Sequence, residues 1–261
     1  MPDQTTNTAL EPAVPVTSSV PSIPTTMPIK RRKRRTGGIS STVPSKAEKR
    51  IKASLKKYKH VVEEALKRES NEADTSNIIN DMLGDFWGYD KFFDVTSEYR
   101  IRGQFADYGV KANGKVIFFI EVKAVNITLN ENHLFQVTSY AVNEGVEWVV
   151  LTNGHSWQLY HIVFGQPIDR DLVLSFDILD KKAQAKDLAG KMAYLAKESF
   201  AKRCPDSLWK KRLALSKESL LEVLNSNKVL NVTRTVLRKK TGYKASPKEL
   251  SELIRAAFKT T

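Results

Sequence analysis

Phe105-Ala-Asp-Tyr-Gly-Val110 and Lys115-Val-Ile-Phe-Phe-Ile-Glu-Val-Lys-Ala124 are the two segments whose reading decides the fold. From Val116 to Ile120 the second is an unbroken apolar run, β-branched and aromatic, as a central strand buried on both faces requires. Two charges, Glu121 and Lys123, close it. Side chains alternate across a strand, so these two share a face. Between the segments, Asn113-Gly114 is the dipeptide suited to a tight hairpin turn. Folding back about that turn brings Asp107 alongside Glu121. Two carboxylates and one ammonium then converge where a buried sheet ends, which costs several kcal/mol unless they are paired or hold a metal. The alternative is a Glu–Lys pair at a strand mouth beside an unrelated turn aspartate.

Upstream, Ile51, Leu55, Tyr58, Val62 and Leu66 recur at three- and four-residue steps and predict a helix from Ser45, with Glu48 completing a capping-box pattern. A second helix is expected over residues 71–83, burying Ile78, Ile79, Met82 and Leu83 and ending before Gly84. Glu72 stands at the N-terminal end of its core-facing row, where the helix dipole alone also favours a carboxylate. Residues 92–101, 104–110 and 115–124 read as three strands, followed by a helix over 130–143. Gln136 and Tyr140 lie four apart and share a face of that helix. Two more strands, 147–152 and 156–164, are expected to join through Asn153-Gly154 as a type I′ hairpin. Beyond Asp180 the pattern is helical over 181–200, 208–215, 217–224, 228–240 and 247–258. Gly242 closes one helix, and Ser246-Pro-Lys-Glu249 opens the next with a cap, a first-turn proline and a capping-box glutamate.

Residues 1–44 are rich in Pro, Thr, Ser and Val and hold seven of the ten prolines, so they are expected to be disordered. Within them lies the basic run Lys30, Arg31, Arg32, Lys33, Arg34 and Arg35, suited to phosphate contact or to a solvated face. The chain thus divides into a tail (1–44), an α/β domain (45–180) and a helical extension (181–261). Residues 36–180 carry sixteen basic and twenty acidic side chains, whereas residues 181–261 carry twenty basic and seven acidic. A slightly acidic domain that would hold cations is followed by a strongly basic extension, which suits a polyanion and nucleic acid above all. Lys210, Lys211, Lys239 and Lys240 are the paired cations expected to meet phosphates.

Asp107 followed by Glu121-Val-Lys123 resembles the D…ExK signature of PD-(D/E)XK nucleases. More specifically, residues 71–162 resemble the N-terminal nuclease domain of type I restriction enzyme motor (R) subunits and the free-standing restriction endonucleases that share it. The matching pieces run in the family's order: Glu72-Ala-Asp-Thr, Gly88-Tyr-Asp90, Glu98-Tyr, Ala106-Asp-Tyr and Ile120-Glu-Val-Lys-Ala124. Gln136-Val-Thr-Ser-Tyr140-Ala and Leu151-Thr-Asn-Gly154 with Trp157-Gln-Leu-Tyr160 complete the set. The resemblance implies a restriction-endonuclease-like core of order αβββαβ with a mixed sheet. It implies a Mg²⁺-dependent endodeoxyribonuclease, restriction- or phage-related, with Mn²⁺ an alternative ion. Asp107, Glu121 and the Val122 carbonyl would hold the metal, and Lys123 would position or help deprotonate the attacking water. Gln136 would fix that water or a phosphate oxygen, Tyr140 would orient the helix, and Glu72 would help set the metal site. Where the family usually has proline before the aspartate, this chain has Ala106. The implied partner is DNA, with RNA an alternative, alongside homo-oligomerisation or separate motor and specificity subunits. A catalytically silent nucleic-acid-binding or assembly module on the same fold is the competing function.

Other chemistries are not supported. The four histidines and the single Cys204 show no zinc spacing, and there is no Gly-x-Ser-x-Gly elbow. No phosphate-binding Gly-x-x-x-x-Gly-Lys loop appears, so an ATP-driven motor is not expected in this sequence. No apolar run approaches the roughly 18 residues of a membrane span, and the N-terminus lacks the pattern of a signal peptide. One cysteine suits a reducing cytoplasm.

Overall fold

The computed structural model describes residues 42–101 and 104–259. The first helix, α1 (Ser45–Lys67), buries Ala47, Ile51, Leu55, Tyr58, Val62 and Ala65, one residue per turn along a single stripe. Its N-cap is Pro44, so Ser45 already lies inside the helix and makes no side-chain cap. Next, α2 (Glu72–Asp85) begins where the Asn71 side chain accepts from the Asp74 amide at 2.9 Å. It runs through Gly84 and ends on Phe86 and Trp87, both fully buried. Gly88 (φ +72°) reverses the chain there. That left-handed backbone favours glycine, and a Cβ would also stand 2.8 Å from the Arg50 guanidinium carbon and displace it. That guanidinium donates to the Phe86 carbonyl and to both carboxylate oxygens of Glu198, tying α1 to the end of α2 and to a later helix.

Six strands follow: β1 (Val95–Ile101), β2 (Gln104–Ala112), β3 (Lys115–Val122), β4 (Trp148–Thr152), β5 (Ser156–Val163) and β6 (Asp169–Asp177). They form one sheet in sequence order. Every neighbouring pair is antiparallel except β3–β4, which is parallel and requires a crossover. Helix α3 (Leu134–Glu144) supplies it. The β2–β3 hairpin turns on Asn113 and Gly114, at φ +51° and +70°, as its dipeptide predicts for a type I′ turn. On one face, Val110, Phe118, Ile120 and Val150 pack against α1 and α2; on the other, Phe119, Val149 and Leu151 pack against Leu134, Val137 and Tyr140 of α3.

Three further local expectations differ. Residues 153–155 connect β4 to β5, and of these only Gly154 has positive φ, so the connection is not a type I′ turn. Strand β6 has no counterpart among the elements expected from the sequence. The predicted helix over 181–200 is instead α4 (Ala185–Met192) and α5 (Lys197–Ala201), separated by a short 3-10 turn and extended backbone at Ala196.

Helix α6 (Cys204–Ala214) is docked on the sheet by Trp209, which stacks on His161 at 3.7 Å and donates to Asp171 at 2.8 Å. Helices α7 (Lys217–Leu224), α8 (Asn227–Thr241) and α9 (Pro247–Lys259) then pack on one another around Leu230, Ala245 and Leu250. Gly242 ends α8 at φ +78°. Ser246 and Glu249 exchange the two bonds of a capping box.

Candidate active site

Strand β2 turns over at Asp107. Tyr108 and Val110 face α1 and α2, whereas Ala106, which strict alternation would place with Tyr108, packs on the α3 side. Pairing with β1 passes from Ser97↔Tyr108 to Tyr99↔Ala106, and the intervening Glu98 is left-handed at φ +47°. Pairing with β3 stops at Tyr108↔Ile120. Asp107 therefore has no partner residue in either ladder, and its carboxylate takes over a backbone bond: Oδ2 accepts from the Val122 amide at 2.6 Å. Continuing the register by one residue sets Asp107 opposite Glu121, as the sequence predicts.

Glu121 lies at the end of β3 and is buried to 6% exposure. Its Oε1 accepts from Lys123 Nζ at 2.8 Å, the two being neighbours on one face of the strand end. The same ammonium reaches Glu72 Oε2 of α2 at 3.4 Å. Helix α2 is held to this corner by Tyr108, whose hydroxyl lies 2.7 Å from both the hydroxyl and the carbonyl oxygen of Ser76. Glu72, Asp107, Glu121 and Lys123, from α2, β2 and β3, thus form one cluster.

The charges do not balance, because three carboxylates share one ammonium. Burial raises the Glu121 carboxyl to about 7; the Lys123 bond opposes the shift and Asp107 adds to it. Burial likewise raises Asp107, against the Val122 amide and the Lys123 charge, while Glu72 and Glu98 push it further up. For Lys123, burial pulls down but the bond to Glu121 and the surrounding carboxylates prevail, so its pKa rises. Both partners of the Glu121–Lys123 pair therefore hold their protons more tightly. A simple ion pair would lower the acid; here desolvation and excess negative charge override that. A cation would relieve both.

Gln136 is exposed on α3 and donates to the Tyr140 hydroxyl in a short bond, while Tyr140 is buried under the helix. The pair shares a face as predicted, and each is the other's partner. Among the described residues no three His, Cys, Asp or Glu side chains are placed to hold a metal on their own. Asp107 and Glu121 are two hard oxygen donors with unmet demand for positive charge. That fits Mg²⁺, which binds through one or two carboxylates and keeps its waters. Lys210, Lys211, Lys239 and Lys240 are exposed, on α6 and α8. The run from Lys30 to Arg35 lies outside the described residues. Glu98 acts on Asp107 through its charge and its backbone, a role its place in the Glu98-Tyr motif pointed to only indirectly. No helix among the described residues is long and apolar enough to cross a membrane.

No curated protein and no solved structure gives a match to the chain. The family model described as the type I restriction enzyme R protein N terminus matches residues 92–168. The match takes in Asp107, Glu121, Lys123, Gln136 and Tyr140, and leaves out Glu72 and the basic helices. Over residues 92–168, on a mixed α/β fold, this chain resembles the N-terminal domain of type I restriction enzyme R proteins.

Proposed function

We propose that the chain is a metal-dependent DNA endonuclease with a PD-(D/E)XK core. The observation that carries this reading is the convergence of Asp107, Glu121 and Lys123 at the break between β2 and β3, with more carboxylate than ammonium. The family match supports a role related to restriction enzymes.

Asp107, Glu121 and the Val122 carbonyl would hold Mg²⁺, with Mn²⁺ an alternative. Bound there, the ion supplies a polarised phosphate oxygen and a hydroxide available near neutral pH. Glu121 must be ionised to serve. With its carboxyl raised to about 7, Glu121 would give up a proton to become a ligand, and would do so more readily as pH rises through that value. Lys123 keeps Glu121 oriented and would offer its one remaining hydrogen to a phosphate as negative charge builds. Glu72 holds the ammonium from the other side. Gln136, tethered by Tyr140 and exposed on α3, is available to a phosphate oxygen or to the attacking water. The exposed lysine pairs of α6 and α8 would grip the DNA backbone.

Incubating the purified chain with supercoiled plasmid, with and without Mg²⁺, tests this directly. Nicking that requires the ion and disappears in Lys123→Ala is the expected result. Binding with no cleavage at any metal concentration would instead identify a silent nucleic-acid-binding module, and cleavage of RNA alone would change the substrate.

A further inference from the structure

The proposed chemistry leaves the Leu151-Thr-Asn-Gly154 motif without a role, although it sits at the same end of the sheet as Glu121. The Lys123 amide donates to the Thr152 carbonyl at 2.8 Å, extending the parallel pairing of β3 with β4 by one residue. The chain then makes a turn, closed by the Ile127 amide on the Ala124 carbonyl at 3.0 Å. Asn153, buried to 2% exposure, donates from Nδ2 to the Ile127 carbonyl at 2.8 Å. The segment from Lys123 to Ile127 is therefore clamped at both ends by two consecutive residues, Thr152 and Asn153.

Every hydrogen-bonding group of the Asn153 side chain is engaged. Its Oδ1 accepts from the Ser156 amide at 2.9 Å, and its second Nδ2 hydrogen faces His155 Nε2 at 3.1 Å. That contact requires Nε2 to be the accepting nitrogen. The tautomer follows from the other side of the ring, where Nδ1–H meets Asp177 Oδ2 at 2.8 Å. Thr152 braces the connection, its Oγ1 accepting from the Gly154 amide and donating to the Ser156 carbonyl. Gly154 in turn packs on α2: a Cβ there would lie 3.4 Å from Thr75 Cγ2, three residues from Glu72. One connection thus touches both elements whose carboxylates hold the Lys123 ammonium.

We propose that Asn153 is a positioning residue for the nuclease site, held in register by His155 and Asp177, which fixes the Lys123–Ile127 turn and so aims Lys123 between Glu121 and Glu72. The inference rests on reading this corner as the nuclease site. Asn153→Asp is the direct test, because it keeps the acceptor for Ser156 and removes both donors. Cleavage kcat should fall by about 10²-fold, the scale of a displacement near 1 Å, with KM for DNA unchanged. His155→Leu, at a partly exposed position, should lower kcat in the same way, and His155→Gln should restore it by returning an acceptor to Asn153. Hydrogen exchange read at residues 124–130 should quicken in Asn153→Asp and His155→Leu, and return to the parental rate in His155→Gln, while β3 and β4 stay protected. Parental kcat in a folded Asn153→Asp protein, or a loss in His155→Leu that glutamine does not restore, overturns the proposal. Should Asn153→Asp fail to fold, the two His155 variants decide alone. If the parental protein never cuts DNA with Mg²⁺, the nuclease reading falls, and the exchange rates still decide whether Asn153 holds the turn.

Discussion

The corner around Asp107 and the helices α7–α9 carry opposite charge in opposite settings. At the corner, one ammonium faces three carboxylates at a sheet end, with Glu121 buried, Asp107 half-buried and Glu72 exposed. On α8, Lys228, Arg238, Lys239 and Lys240 project from a helix with no acidic residue, over a small core of Leu230, Ala245 and Leu250. Exposed cations cost little and need only a minimal scaffold. Desolvated carboxylates need the whole sheet to hold them, and persist at a cost to stability. On the proposed reading the difference separates chemistry from affinity: the negative corner would act on a phosphate but repel the polyanion, and the basic helices would attract it without acting on it.

The sharpest way to break that division is to remove the corner's charges. Asp107→Ala, Glu121→Ala and Lys123→Ala should each lower cleavage by at least about 10²-fold, the scale of losing a charge-stabilising group, while DNA affinity persists. Cleavage at the parental rate by Asp107→Ala or Glu121→Ala means the site is elsewhere.

Reversing the lysine pairs should do the opposite. Glutamate at Lys210 and Lys211, or at Lys239 and Lys240, should weaken DNA binding and flatten the slope of log K against log salt by about 0.9 for each phosphate no longer neutralised. The weakening should be alike for unrelated DNA sequences, since phosphate contacts position without specifying bases. Folded variants with an unchanged slope would make these helices structural rather than DNA-binding.

What could be read from sequence follows the same local-versus-distant line. The hairpin on Asn113-Gly114 is written in the sequence, but strict pairing from Ala112↔Lys115 would set Asp107 against Ile120. A β-bulge between Val110 and Lys111, which no residue type announces, shifts the register by one and brings Asp107 opposite Glu121. The break of the 181–200 helix at Ala196 is not written there either. Its residues favour helix, and the chain is drawn out by distant partners: Trp87 Nε1 donates to the Met192 carbonyl, Tyr89 to that of Leu195, and the Lys197 amide to the Trp87 carbonyl. Strand β6 escapes a sequence reading because it is the sheet's edge, with only Val173 and Phe176 buried among partly exposed neighbours. At the candidate site the charged residues stand out, whereas the neutral Asn153 that braces them has meaning only once Ile127 and His155 are beside it.

A smaller effect measures the cost of the corner itself. A carboxyl raised to about 7 in the folded chain, against an ordinary value of 4.5, favours the folded state below the ordinary value. That contribution is lost as pH rises through 7. Without metal, Glu121→Gln should therefore melt higher than the parent at pH 8, by roughly 5 °C, and show little difference at pH 4.5. Mg²⁺ should narrow the gap at pH 8 by stabilising only the parent. A parent that melts higher than the variant at pH 8 in EDTA would show that Lys123 fully compensates Glu121, and the contrast between corner and helices would shrink accordingly.

The smallest expected effect asks whether burial acts likewise on a base elsewhere in the same sheet. His161 on β5 is 7% exposed, stacked on Trp209 and edge-on to Trp148, and its Nδ1 makes no hydrogen bond among the described residues. Burial lowers its pKa from 6.5 to about 4, against the opposing charges of Asp206 and Asp171. A depressed histidine contributes stability that is present above 6.5 and lost as pH falls towards 4, because the unfolded chain takes up the proton first. At pH 5.5 the loss is about 1 kcal/mol, or about 3 °C in melting temperature for a chain of this size. His161→Phe keeps the ring against Trp209 and removes the titration. Its melting temperature should track the parent's above pH 7 and exceed that trend increasingly below 6.5. Parallel curves through pH 5 would mean that the imidazolium is accommodated beside Asp171 and Asp206, and that burial in this sheet does not by itself decide protonation.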